Sequence, residues 1–144
     1  MSPLPVWLNK YIGIPYVDKG RDFSGVDCYG LIYLIYRTEF NIPLPHYLDA
    51  YPSANDKWAA SKAVSKGLTE GWEKVKIPQF GDMLILNILG RPWHCGMMIS
   101  LTRFIHAPIH HLVSMERLNN PIWTQRINGF YRYKDFKQGN SNQD

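Results

Sequence analysis

A glycine-flanked segment, Gly25-Val26-Asp27-Cys28-Tyr29-Gly30, runs straight into Leu31-Ile32-Tyr33-Leu34-Ile35-Tyr36, and this junction constrains the chain more than any other stretch. In its second half Leu31, Leu34 and Ile35 recur at helical spacing, as do Ile32 and Tyr36. No Pro or Gly interrupts them, which predicts a helix. Gly25 and Gly30 stand on either side of the cysteine, so the backbone there is free to turn sharply and neighbours to approach closely. Asp27 is a favoured N-cap type and puts Cys28 in the first turn. A thiol in that place meets unpaired N–H groups and the positive end of the helix dipole. Both favour the thiolate, the nucleophilic form. The stretch is equally compatible with a small buried core cysteine, the commoner role of a free thiol.

A chain of 144 residues bounds the fold to one domain large enough for a single core. The net charge of +4 suits an anionic polymer partner, while the lack of a dense Lys/Arg run argues against nucleic acid. Two cysteines cannot make a disulfide scaffold. Met1-Ser2-Pro3-Leu4-Pro5 has neither a charged n-region nor an apolar core, so no signal peptide is expected. No apolar run reaches membrane-spanning length, and no membrane insertion is expected. These features predict a protein made in the cytoplasm, which would need a route other than general secretion to act outside.

In chain order, Trp7, Leu8, Tyr11 and Ile12 predict a short helix over 6–12, with Pro5 near its start and Gly13 past its end. Ile14-Pro15-Tyr16 is extended because a residue before proline is pushed out of the α region. A polar loop over 18–25 leads to the cysteine. Asn41 to Tyr47, with two prolines, reads as a surface crossing. A second helix is expected over 55–68, with Trp58, Ala59, Ala63 and Val64 on one face. Ser53 or Asn55 would cap it, and Gly67 or Gly71 would end it.

From Pro78 the pattern turns to strands over 83–86, 93–100, 104–107, 112–118 and 129–133, with one helical turn at 121–124. Helices first and strands after predict an α+β fold with N-terminal helices packed on a C-terminal antiparallel sheet. Residues 1–137 read as one domain and 138–144 as a disordered tail.

Five histidines are present: His46, His94, His106, His110 and His111. Strand alternation puts His94, Gly96, Met98 and Ser100 on one face and Trp93, Cys95, Met97 and Ile99 on the other. Gly96 leaves room for a helix end or a ligand beside His94. A hairpin would make His94 and His106 neighbours across the ladder. That placement permits a Cys28–His94–His106 array, with the base oriented by a third polar group. Taken singly, His94 or His106 reads better as a hydrogen-bonded sheet residue; the pair at hairpin distance, with a cysteine opening a helix, shifts the reading to nucleophilic catalysis. His110 and His111 follow Pro108 in a loop and read as solvated. His94 and Cys95 should point to opposite faces and not share an ion. With no CxxC or HExxH spacing, no metal is expected.

These motifs together resemble the NlpC-type cell-wall cysteine peptidases, papain-like enzymes that cut peptidoglycan stem peptides. The family's Asp-Cys-x-Gly-Leu is Asp27 to Leu31, its Gly-x-Pro-Tyr is Gly13 to Tyr16, and its Gly-Asp is Gly81-Asp82. Its His-x-Gly strand is His94-Cys95-Gly96, and its Ile-His-Ala strand holds His106. The resemblance extends to the branch found in tail-tip proteins of phages and phage-like particles. There it rests on Gly20-Arg21-Asp22, Leu44-Pro45-His46-Tyr47, Glu116-Arg117-Leu118, Trp123 and the aromatic run Gly129 to Tyr133. Two departures exist: Tyr29 follows the cysteine where the secreted enzymes often carry Ser, and Asp18-Lys19-Gly20 replaces their Gly-Gly.

The resemblance implies Cys28 as nucleophile, His94 as base and His106 as the group that fixes the His94 ring. It makes the Tyr16 hydroxyl an oxyanion donor or an orienter of the thiol, beside a plain packing role. Asp27 is then a helix cap or a substrate-amine contact. No cofactor is implied. The implied partners are a peptidoglycan stem peptide and the tail-tip or baseplate proteins of a phage-like virion. A structural tail-tip component with little activity, and an acyltransferase or amidase on the same scaffold, remain the alternatives.

Overall fold

A computed structural model describes residues 3–53 and 56–136. It begins with a 3₁₀ turn, Val6–Lys10, rather than the longer helix expected there. The turn is sealed by Leu8, and Tyr11 beyond it is fully buried, donating its hydroxyl to Glu39 at 2.6 Å. A small hairpin follows, β1 (Arg21–Asp22) and β2 (Gly25–Val26), inside the stretch read as a loop. Then come α1 (Cys28–Glu39) and α2 (Lys57–Gly67). The strands are β3 (Trp72–Val75), β4 (Met83–Ile88), β5 (Arg91–Met98), β6 (Arg103–His106), β7 (Ser114–Arg117) and β8 (Ile127–Tyr133), with α3 (Pro121–Thr124) before the last.

Strands β3 to β8 form one sheet in the order β3-β8-β4-β5-β6-β7, every neighbour antiparallel. The α+β reading therefore stands. β3, with only two half-buried residues among four, carries no alternation strong enough to announce itself.

α1 forms because its apolar stripe has a partner. Leu31, Ile32, Ile35 and Tyr36 are at most 1 % exposed and share a core with Met83, Ile85, Cys95, Met97 and Ile105 of the sheet. The opposite sheet face packs Leu84, Leu86, Met98 and Phe104 against Trp123, Ile127 and Phe130.

α2 departs from expectation in two ways. Its N-cap is Asp56, whose carboxylate accepts the Ala59 N–H at 3.1 Å, in place of Ser53; Asn55 lies outside the described residues. Trp58 is 52 % exposed instead of facing inward, and the Arg91 guanidinium lies 3.8 Å from its ring centre. The inward face is carried by Ala60 and Ser61, with Val64 partly buried against the core. Among the described residues no helix is long and apolar enough to cross a membrane. The expected tail over 138–144 lies outside the described residues.

Candidate active site

Cys28 is the first residue of α1, and the Asp27 carboxylate caps the helix by accepting the Gly30 N–H at 2.7 Å. The same carboxylate also accepts from Arg21 Nη1 at 2.8 Å, from the Lys19 N–H at 3.1 Å and from the Tyr51 hydroxyl at 2.5 Å. Each oxygen thus takes two donors, which fills its lone pairs, and the residue is 1 % exposed. Of the two roles expected for Asp27, its hydrogen bonds serve the cap, and the residue also lines the pocket beside Cys28.

Arg21 reaches further, donating to the His46 carbonyl and the Tyr51 hydroxyl, and so ties the proline-rich crossing to the head of α1. The flanking glycines serve close approach rather than an unusual turn, since neither has positive φ. A Cβ on Gly30 would collide with the Gly20 carbonyl, and one on Gly25 with Val17.

His94 and His106 are cross-sheet neighbours as the hairpin reading requires. Nε2 of His94 lies 2.8 Å from Nδ1 of His106, with the rings edge to face. Gly96 opposes His106 in the ladder, and the space it leaves is filled by β6 itself rather than by a helix end or ligand. A Cβ there would meet the Ile105 carbonyl at 2.9 Å and His106 Cβ at 3.2 Å. At the start of β5 the register slips, so that Trp93 is an extra residue between the pairs Leu86–His94 and Asn87–Pro92. Such a bulge adds twist and re-aims side chains. The Trp93 ring stacks on the His94 ring at 5.7 Å, and both His94 and Cys95 reach the Cys28 thiol despite alternating along the strand.

The thiol's acidity follows from these neighbours. The buried Cys95 thiol donates to Cys28, burial opposes the charge, and His94 adds hydrogen bonding and attraction; together they bring Cys28 down to about 5. Cys95, beside that thiolate and itself 1 % exposed, is pushed well above the usual thiol range. Burial, and then the proximity of His94, lower His106 to about 3, so it stays neutral at physiological pH.

Nδ1 of His94 is buried and has no aligned hydrogen-bond partner, leaving it as the nitrogen available to the thiol and a reacting group. The Tyr16 hydroxyl is likewise buried without a partner. Its acidity is suppressed first by burial and then by the Cys28 charge, so it remains a donor. Tyr16 is held there by its own N–H, which donates to the His111 carbonyl at 3.2 Å, while Val17 bonds Val26.

Cys28 opens into a cleft, partly open to solvent and walled by Tyr29, Tyr47, Tyr51, Val64, Trp72 and Trp93. Its tyrosine hydroxyls are engaged with Pro45, Glu70 and Asp27, so the wall presents mostly ring faces. His110 and His111 are exposed in their loop, as expected.

Sequence reasoning missed three participants: the Cys95 thiol, the Arg21–Tyr51 brace, and Glu116, whose Oε2 lies 3.4 Å from His106 Nε2. Arg21 and Glu116 both lie in short motifs that had no role attached. Cys95 was hidden because strand alternation set it apart from His94, and spacing does not show that the Cys28 thiol lies within reach of both.

The profile of the NlpC/P60 family matches residues 13–132. Among curated relatives, "Murein DD-endopeptidase MepS/Murein LD-carboxypeptidase" of Escherichia coli (strain K12) is 25 % identical over 116 residues, covering 81 % of this chain and 54 % of that protein. "Tail tip assembly protein K" of Escherichia phage N15 is 24 % identical over 131 residues, covering 86 % and 51 %. The chain thus spans about half the length of these relatives. The solved NlpC/p60 domain of peptidoglycan hydrolase SagA superposes with a TM-score of 0.60 at 22 % identity, over 86 % of this chain and 91 % of that one. With its helix-borne cysteine, its paired sheet histidines and a family profile spanning both, this chain belongs to the NlpC/P60 family.

Proposed function

We propose that the protein is a cysteine peptidase that cuts an amide bond in the stem peptide of peptidoglycan, acting from the tail tip of a phage or phage-like particle. The observation that carries the reading is the line from Cys28 through His94 to His106 at the head of α1, within a family domain. In this scheme the Cys28 thiolate attacks the scissile carbonyl. A C–S bond forms, and the carbonyl electron pair moves onto oxygen. The Cys28 N–H at the helix head and the Tyr16 hydroxyl donate to that oxygen; one such donor is typically worth roughly 3–4 kcal/mol.

His94 as imidazolium then gives its Nδ1 proton to the leaving amine as the C–N bond breaks. Water, deprotonated by the now neutral His94, resolves the thioester, releases the new carboxylate and restores the thiolate. None of these steps calls on a metal or cofactor.

The wall substrate is supported by the family and by the similarity to the E. coli murein endopeptidase. The tail location is supported by the similarity to the phage N15 tail-tip protein and by the motifs of the tail-tip branch. The test is incubation of purified sacculi with the protein, alone and mounted on particles, followed by separation of the released muropeptides. Cleaved stem peptides are expected. They should be lost in Cys28→Ala and His94→Ala, reduced but measurable in His106→Ala, and insensitive to EDTA. Stem peptides left uncut, with cleaved glycan strands or a cleaved amide to muramic acid, would overturn it.

A further inference from the structure

We propose that Glu116 is a positioning residue, the terminal hydrogen-bond acceptor that fixes the tautomer of His106 and through it the orientation and charge of His94. This rests on the cysteine-peptidase reading above.

The argument starts from donors and acceptors. For His94 to hold a proton on Nδ1 while charged, its Nε2 must also carry one and donate it. The only described partner at that nitrogen is His106 Nδ1, at 2.8 Å. His106 Nδ1 must therefore be bare, which puts the single proton of this neutral ring on Nε2. His106 is fully buried, and a buried N–H without an acceptor is costly. Glu116 Oε2, at 3.4 Å, is the acceptor in place.

The ring cannot turn away to find another. Phe104 and Trp123 meet it edge to face at 5.0 and 5.1 Å, and the His94 ring closes a third side. Register puts Glu116 opposite Phe104 and Ser114 opposite His106, so the carboxylate leans along the edge strand to reach the ring. The Ser114 hydroxyl donates to the same oxygen at 3.5 Å, holding it on that side. The Glu116 side chain is one-third exposed.

Without the acceptor, His106 gains by moving its proton to Nδ1. It then points a donor at His94 Nε2, which can answer only as the bare nitrogen of a neutral ring. His94 loses its imidazolium form, and the thiolate loses its counter-charge. Glu116 thereby acts two histidines away from the reacting sulfur.

The experiment uses the full chain with ¹⁵N-labelled histidine, in wild type, Glu116→Ala and Glu116→Gln. Imidazole nitrogen shifts read the His106 tautomer at neutral pH, and iodoacetamide reads Cys28 reactivity. Wild type should show His106 as the Nε2–H form. Glu116→Ala should move it toward Nδ1–H and slow Cys28 alkylation on the order of ten-fold, the size seen when an orienting outer partner is lost. Glu116→Gln keeps a neutral acceptor oxygen and should restore both readouts to within about three-fold of wild type, since a neutral acceptor retains about half the strength of a charged one.

An unchanged tautomer in Glu116→Ala overturns the proposal, as does a folded Glu116→Gln that behaves like Glu116→Ala. Should Glu116→Ala fail to fold, Glu116→Gln decides alone: preserved Nε2–H supports the assignment and Nδ1–H overturns it. Neither readout requires hydrolysis. A wild-type protein that left peptidoglycan uncut would thus refute the function and leave this measurement standing.

Discussion

Two thiols separated by a single hydrogen bond carry opposite acidities, and the difference is set by geometry. Cys28 has the helix head, the Cys95 donor and the His94 imidazole; Cys95 has burial and a neighbouring negative charge. A group lowered to about 5 is mostly ionised well below the pH where an ordinary thiol titrates, near 8.5. Alkylation of Cys28 by iodoacetamide should therefore rise through a midpoint near pH 5 and stay flat to pH 8, while Cys95 stays unmodified in the folded protein. Mass-spectrometric peptide mapping across that pH range checks both, and a midpoint near 8.5 would refute the assignment. The place of Cys28 at the head of a capped helix was legible in the sequence because helix capping is local chemistry: Asp27, Cys28 and the apolar run sit within a few residues. The contacts of Cys95 with Cys28 and of Glu116 with His106 were not, since they depend on helix-to-sheet packing and on a cross-strand lean that no spacing encodes.

At the scale of elements, the head of α1 is held by a brace that joins three segments. Arg21 from β1 lies between the Asp27 carboxylate, the Tyr51 hydroxyl and the His46 carbonyl, with its side chain only 10 % exposed. Removing it strands a buried carboxylate. Arg21→Met should cost about 3 kcal/mol, the range found when one partner of a buried ion pair is deleted. It should also loosen the 46–51 segment, which walls the pocket through Tyr47 and Tyr51. Urea unfolding gives the first quantity, and amide exchange over 46–51 the second. A loss under about 1 kcal/mol, the worth of a surface pair, would mean the brace is ornamental. Strong apolar periodicity made α1 and the central strands readable from sequence. The β1–β2 hairpin, with two residues per strand, and the half-buried β3 are too short for any period to register. Trp58 misled because an aromatic at helical spacing looks like core until a guanidinium offers its face another partner.

At the scale of the whole molecule, the α+β class followed from the order of patterns along the chain, but strand order did not, because pairing is a long-range choice. The last strand is the decisive case. β8 lies between β3 and β4, pairing Trp72 with Tyr133 on one side and Leu84 with Phe130 on the other. A chain ending at residue 126 would leave β4 bare along one edge, with Leu84, Ile85 and Leu86 on a strand whose first four residues are buried. Such an edge is a template for pairing with other chains. That truncation should be insoluble or oligomeric by size-exclusion chromatography, and a monomeric, folded fragment would contradict it. The same topology has a consequence for biosynthesis. A ribosome making this protein emits the cysteine helix early, yet the sheet against which that helix must lie cannot close until residues 127–133 emerge. A nascent chain carries the sulfur long before it carries the machinery that sharpens it, so translation itself delays the moment at which the thiol becomes reactive.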